Sequence, residues 1–117
     1  MIKSRVTVIQ KRPVFYPTSN PGPNTYMSYE ILYVDKVVKN DIPRISGLYR
    51  NRIKRVIETK LTTEPDLYGK PLRRSLKGYL KLRVGDYRIV FRIESKKVKI
   101  FAIAHRRVVY EIMDGRI

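Results

Sequence analysis

Nine side chains in the second half of this sequence are of types that act on phosphates: Lys81, Arg83, Arg88, Arg92, His105, Arg106 and Arg107, interleaved with Tyr79 and Tyr110. A guanidinium grips a phosphate through two parallel hydrogen bonds, and a tyrosine ring stacks on an unpaired base. The set therefore suits a single-stranded polyanion such as RNA. Other chemistries are poorly served. The chain has no cysteine, which removes disulfides and thiolate metal sites. One histidine and no dense carboxylate cluster argue against a metal-dependent nuclease centre, and no cofactor is expected.

These residues need a scaffold that turns them the same way. Tyr79, Lys81 and Arg83 alternate with Leu80 and Leu82, the period of a half-buried strand. After a turn at Gly85-Asp86, the run from Tyr87 to Ile93 alternates again, with Ile89, Phe91 and Ile93 on the core side and Arg88 and Arg92 opposite. A third, more apolar run from Val98 to Ala104 delivers the chain to His105, Arg106 and Arg107. A three-stranded meander is predicted, with one core face and one cationic, aromatic-edged face that holds no carboxylate inside its strands. Plain solvation is the alternative account of Arg83, Arg92 or Arg107 taken singly, but it serves the set less well, because like charges on adjacent strands repel unless something offsets them.

Composition points the same way. Against 10 Asp and Glu stand 26 Lys and Arg, a net charge of +16 in 117 residues. A surplus of that size bears on partners and association rates, and nucleic acid is the leading candidate. The length suits one domain with one modest core, and an apolar fraction of 43% is that of an ordinary globular chain. No apolar run approaches the roughly 20 residues that span a bilayer, and no signal-peptide core opens the chain, so a soluble, cytoplasmic protein is expected.

Upstream of the meander, Tyr29 to Val34 reads as a strand by residue type. Asp35 is placed to cap a short helix through Val37, Val38 and Ile42, which Pro43 must end or kink because it has no amide proton to give. A second helix carries Tyr49, Ile53, Val56, Ile57 and Leu61 as one apolar stripe, opposite Arg50, Arg52, Lys54, Arg55 and Lys60. Pro65, Gly69 and Pro71 mark a loop before the meander. Both helices then have to lie on one face of the sheet, which leaves the cationic face open. Residues 1–26 differ: Arg5 to Gln10 has strand alternation, but Lys11 to Thr25 holds Pro13, Pro17, Pro21 and Pro23 and reads as extended or mobile. They are taken as an N-terminal extension, with residues 27–117 as the domain.

Several segments together resemble a known family. Gly69-Lys70-Pro71-Leu72, Ser75-Leu76-Lys77-Gly78, the run from Leu82 to Phe91, and His105-Arg106-Arg107 followed by Val109-Tyr110 are similar to the RelE branch of the RelE/ParE toxin superfamily, over roughly Ser28 to Glu111. The resemblance implies an α+β, RelE-like fold with two N-terminal helices on one face of a small, mainly antiparallel four-stranded sheet. It also implies a toxin of a toxin–antitoxin module, with a cognate antitoxin, the ribosome and mRNA as partners. RelE-type toxins cut mRNA in the ribosomal A site without a metal, by attack of the ribose 2′-OH on the adjacent phosphate. That leaves a 2′,3′-cyclic phosphate and a 5′-OH.

Carried over by position, the catalytic set is Lys81, Arg88, Arg106 and Tyr110, with Tyr79, Arg83, Arg92, His105 and Arg107 as RNA-binding residues. The resemblance gives Lys81 the role of base. Two departures stand out. Tyr79 replaces a second lysine of the best-known member, and the spacing from Arg106 to Tyr110 is changed, so His105 is an alternative proton donor. The superfamily also hosts ParE-like, non-enzymatic inhibitors of DNA gyrase, which are the alternative function beside a catalytically degenerate RNA-binding relative.

Overall fold

The computed structural model describes residues 8–10, 29–72 and 77–117. Its centre is the meander. Strands β4 (Leu80–Val84), β5 (Tyr87–Glu94) and β6 (Lys97–His105) pair antiparallel in sequence. Each hairpin loop is two residues long and opens on a residue with positive φ, Gly85 at 62° and Ser95 at 60°. A left-handed residue in the first loop position matches the twist of the flanking strands, and glycine takes it without strain.

Strand β2 (Glu30–Val34) joins the far side of β6 in parallel. Two short strands extend the edges, β1 (Val8–Gln10) beside β2 and β3 (Lys70–Pro71) beside β4, giving the order β1-β2-β6-β5-β4-β3. The expected four strands are the central four, and the sheet is wider than expected by those two edge pieces. Of the strand expected over 5–10, the described part is Val8–Gln10; Lys11 to Thr25 lies outside the described residues.

Helix α1 (residues 37–44) is π-helical over Val37–Asp41 and α-helical over Ile42–Arg44. It stops one residue past Pro43, at Arg44, where Ile45 turns extended. Asp35 does not cap it: the carboxylate pairs with Lys39 at 3.6 Å instead. Helix α2 (residues 47–61) follows, α-helical over Gly47–Val56 and π-helical over Ile57–Leu61. Its predicted stripe is the one that packs, with Ile53, Ile57 and Leu61 wholly buried and Tyr49 and Val56 packed at the margin. These meet Tyr33, Ile89, Phe91, Val98 and Ile100 in a single core. A short helix α3 (Pro65–Tyr68) fills part of the expected loop.

The largest departure is a fourth helix, α4 (Val109–Arg116), which sequence periodicity did not reveal. It folds back over the sheet face opposite α1 and α2, burying Val109 and Met113. By strand register that face contains Val90, Ala102 and Ala104, and all three are buried. The cationic face is therefore not open along its length, because α4 roofs its β6 side and leaves the β4 side exposed. The two alanines make the roof possible, since they offer no side chain to hold the helix away.

Candidate active site on the cationic sheet face

Register decides which cations meet. Arg83 on β4 lies directly opposite Arg88 on β5, and Lys81 lies opposite Val90, so Lys81, Arg83 and Arg88 share one face. Arg83 points into solvent. The Arg88 guanidinium turns back along its own hairpin and donates to the carbonyls of Gly85 and Tyr87 at 3.1 and 3.0 Å. Those carbonyl dipoles offset part of the repulsion between the facing arginines. The same turn holds the far end of β6: the Arg106 amide donates to the Asp86 carbonyl at 2.8 Å, and the Arg106 guanidinium stands 3.6 Å from the Asp86 carboxylate. That ion pair is exposed and worth little, so Arg106 is easily surrendered to a phosphate.

The fourth member arrives from α4. Lys81 Nζ donates to the Tyr110 hydroxyl at 3.3 Å, and that hydroxyl donates to the Leu72 carbonyl at 2.9 Å. The structure thus brings Lys81, Arg88 and Tyr110 to one face and places Arg106 at the turn that positions Arg88.

The remaining predicted residues separate. At the other end of the face, Arg92 lies over the Tyr79 ring, its guanidinium carbon 5.1 Å from the centroid, and Tyr79 meets Phe101 edge-on at 5.1 Å. Here the carboxylate-free description of the strands is corrected. Strand β5 runs to Glu94, which shares the cationic face and sits 3.8 Å from Arg92 and 3.0 Å from Lys99. His105 goes to the other side. It pairs in register with Tyr87, meets that ring at 5.9 Å, and through it adjoins Tyr49 of α2. A register shift at Phe101, where two β6 residues oppose the step from Val90 to Phe91, is the reason. The extra residue reverses the parity of everything after it, so Ala102 and Ala104 face the cations and His105 faces the helices. Its Nδ1 accepts the amide of Arg107, whose side chain is exposed.

Sequence reasoning did not identify Asp41. This buried carboxylate accepts from the Ile103 amide at 2.9 Å and takes both terminal nitrogens of Arg116 at 2.8 Å, while Arg116 also donates to the Phe101 carbonyl at 2.9 Å. Among the described residues no group of three His, Asp or Glu side chains is placed to hold a metal ion.

Comparison with known proteins fits this geometry. A family model of the ParE toxin of type II toxin–antitoxin systems, parDE, matches residues 32–110, which include the end of β2, helices α1 to α3, the meander and Tyr110. The chain belongs to this toxin family. Within the RelE/ParE superfamily its relatives place it on the RelE branch. Toxin RelG of Mycobacterium tuberculosis is 42% identical over 52 residues, covering 43% of this chain and 60% of the relative. Toxin RelE of the same organism is 41% identical over 54 residues, covering 44% and 56%. The chain thus spans under two thirds of the length of the curated relatives it matches.

Among solved structures, the toxin–antitoxin complex RelBE2 of M. tuberculosis superposes with a TM-score of 0.62 at 28% identity, covering 68% of this chain and 99% of that one. The RelB–RelE antitoxin–toxin complex of Methanococcus jannaschii gives a TM-score of 0.54 at 25% identity, covering 68% and 94%. The α+β fold expected from sequence is the fold these toxins share. No helix among the described residues is long and apolar enough to cross a membrane.

Proposed function

We propose that this protein is the toxin of a toxin–antitoxin module and that it cleaves mRNA on the ribosome without a metal. The observation that carries this reading is the convergence of Lys81, Arg88 and Tyr110 on one sheet face, with Lys81 Nζ and the Tyr110 hydroxyl 3.3 Å apart. Attack of a 2′-OH on its neighbouring phosphate needs a base at the hydroxyl, cations on the phosphorane-like transition state, and a proton for the leaving 5′-oxygen. Lys81 is the base, Arg88 and Arg106 carry the phosphorane charge, and Tyr110 is the proton donor. His105, on the far side of the sheet, is poorly placed for that last task.

An in-line displacement puts the attacking and leaving oxygens on opposite sides of phosphorus. Base and acid cannot then remain bonded to each other. Substrate entering between Lys81 and Tyr110 breaks their mutual hydrogen bond, and the Tyr110 hydroxyl must also turn its one proton from the Leu72 carbonyl to the leaving oxygen, so the arrangement described above is a resting one. The face supplies cations but little to orient a flexible strand, and the ribosome supplies that orientation, a contribution worth several orders of magnitude in rate.

A partner antitoxin follows from the same charge. With +16 on the chain, an acidic segment that covers Arg88 and Arg106, or displaces Tyr110, would neutralise the site and associate quickly at low salt. The two solved relatives are toxin–antitoxin complexes, which supports such a partner here.

The deciding experiment adds the protein to ribosomes programmed with a defined mRNA and maps the new 5′ ends, with naked mRNA alongside. Cleavage only on the ribosome is expected, and equal cleavage of naked RNA overturns the reading. A second reading, inhibition of DNA gyrase, is favoured by the ParE description of the matching family model. Gyrase supercoiling assays with no change in mRNA ends would select it.

A further inference from the structure

The end of the cationic face remote from Arg88 is built differently from the reactive end. Arg92 is not aimed at empty solvent. Its guanidinium carbon lies 5.1 Å over the Tyr79 ring centroid, its terminal nitrogen passes within contact distance of the space beside Gly78, and its Nε stands 3.8 Å from Glu94. Tyr79 is itself backed edge-on by Phe101, which is buried. A ring below and a carboxylate beside restrict a side chain that is otherwise among the most mobile, while 40% of it stays exposed.

Charge tells which part of a nucleotide such a device receives. Around Arg83, Arg88 and Arg106 the cations outnumber the carboxylates, as phosphate binding requires. Around Arg92 part of the charge is already answered, because Glu94 touches both Arg92 at 3.8 Å and Lys99 at 3.0 Å. A phosphate arriving there would meet a carboxylate. A base, which is neutral and planar, would meet a guanidinium plane with an aromatic ring beneath it.

We propose that Arg92, laid on Tyr79 and braced by Glu94, is a stacking platform for one unpaired RNA base flanking the scissile phosphate. Guanidinium planes and aromatic rings are the two surfaces on which splayed-out bases stack. From Arg88 to Arg92 is four residues along β5, about 13 Å, a distance an extended single strand covers in a couple of nucleotides. The base is therefore a neighbour of the cut and not part of it. This proposal rests on the reading of the face as an RNA site, and its test is a binding measurement independent of cleavage.

The probe is a short single-stranded RNA carrying one 2-aminopurine, whose fluorescence falls on stacking, together with the same RNA made abasic at that position. The wild-type protein should quench the fluorophore and should bind the base-containing RNA about fivefold or more tightly than the abasic one, the lower range of what one stacked base is worth. Arg92→Lys keeps the charge and loses the plane, and Tyr79→Leu keeps apolar packing and loses the ring. Both should abolish quenching and erase that preference while leaving affinity for abasic RNA unchanged, and Tyr79→Phe should behave as wild type.

An Arg92→Lys protein that still quenches and still prefers the base would overturn the proposal. So would an equal loss of affinity for both RNAs, which would make Arg92 a phosphate contact. Quenching and preference in a wild-type protein that leaves programmed ribosomes uncut would sink the nuclease reading and leave the platform standing.

Discussion

Asp41 and Arg116, 75 residues apart in sequence, form a buried bidentate ion pair with both oxygen–nitrogen distances at 2.8 Å. The pair stands where β2 has ended, beyond its last register partner on β6, Ile100. There, with no further strand beside them among the described residues, the Phe101 carbonyl accepts from Arg116 and the Ile103 amide donates to Asp41. Two side chains thus continue the hydrogen-bond ladder past the end of the strand, which matters because a buried backbone group left unpaired is costly. The same contact fixes the last turn of α4, and with it the helix that presents Tyr110 to Lys81.

Removing one partner should therefore cost far more than an average surface ion pair. Arg116→Ala leaves a buried carboxylate unpaired and should destabilise the fold by about 3–5 kcal/mol. Chemical denaturation of Arg116→Ala, Asp41→Ala and the double variant tests this. The double variant should be less destabilised than the sum of the singles, and strict additivity would show that the two groups act separately.

Gly85 links stability to the site. Its φ is +62°, and a Cβ built there would lie 2.8 Å from the Tyr49 ring, so Gly85→Ala combines backbone strain with a forced shift of Tyr49. A loss of about 2 kcal/mol is expected. Because Arg88 bonds the Gly85 carbonyl and Arg106 bonds that of Asp86, cleavage should fall even at temperatures where the variant is folded. Undiminished cleavage by folded Gly85→Ala would show that the turn does not position these arginines.

If Arg88 and Arg106 hold the phosphorane charge, replacing either by alanine should lower ribosome-dependent cleavage about a hundredfold or more, the usual effect of losing one preorganised transition-state contact. Arg55→Ala is the control, since that residue is exposed on the outer face of α2. Arg50 is less suitable, being tied to the Ile45 carbonyl at 2.8 Å. Single-turnover rates on programmed ribosomes should separate the two site variants from the control, and equal losses in all three would move the site elsewhere.

The sequence made the meander and α2 readable because each rests on a short-range signal: alternation closed by a Gly-containing turn, or one stripe at helical spacing. What it concealed is tertiary. Helix α4 buries only Val109 and Met113 deeply, one turn apart, amid Glu111, Asp114 and Arg116, so it has no sustained stripe to read. The extra residue at Phe101 leaves no mark in an apolar strand, yet it reverses the facing of His105. Asp41 resembles any helix-end aspartate until the chain returns to bring Arg116 against it. Lys81, Arg88 and Tyr110 could be named together because matching segments resembled a family, but the contact between Lys81 and Tyr110 depends on the helix that went unseen.

The N-terminal segment offers a last test. Strand β1 pairs with the outer edge of β2, Val8 with Val34 and Gln10 with Tyr33, while the other edge of β2 is held by β6. Deleting residues 1–26 removes that edge pairing but leaves the core from Ile31 to Met113 intact, and the family match covers only residues 32–110. A few edge hydrogen bonds at their usual net worth amount to roughly 1–3 kcal/mol, small beside a domain total of about 5–15 kcal/mol. A protein beginning at Met27 should thus fold, melt somewhat earlier and retain ribosome-dependent cleavage. The freed β2 edge should also raise its tendency to self-associate, since an unpaired edge accepts another extended chain. Thermal melts, light scattering and cleavage of the full chain and the truncation check this together, and an unfolded or inactive truncation would place the start of the domain before Met27.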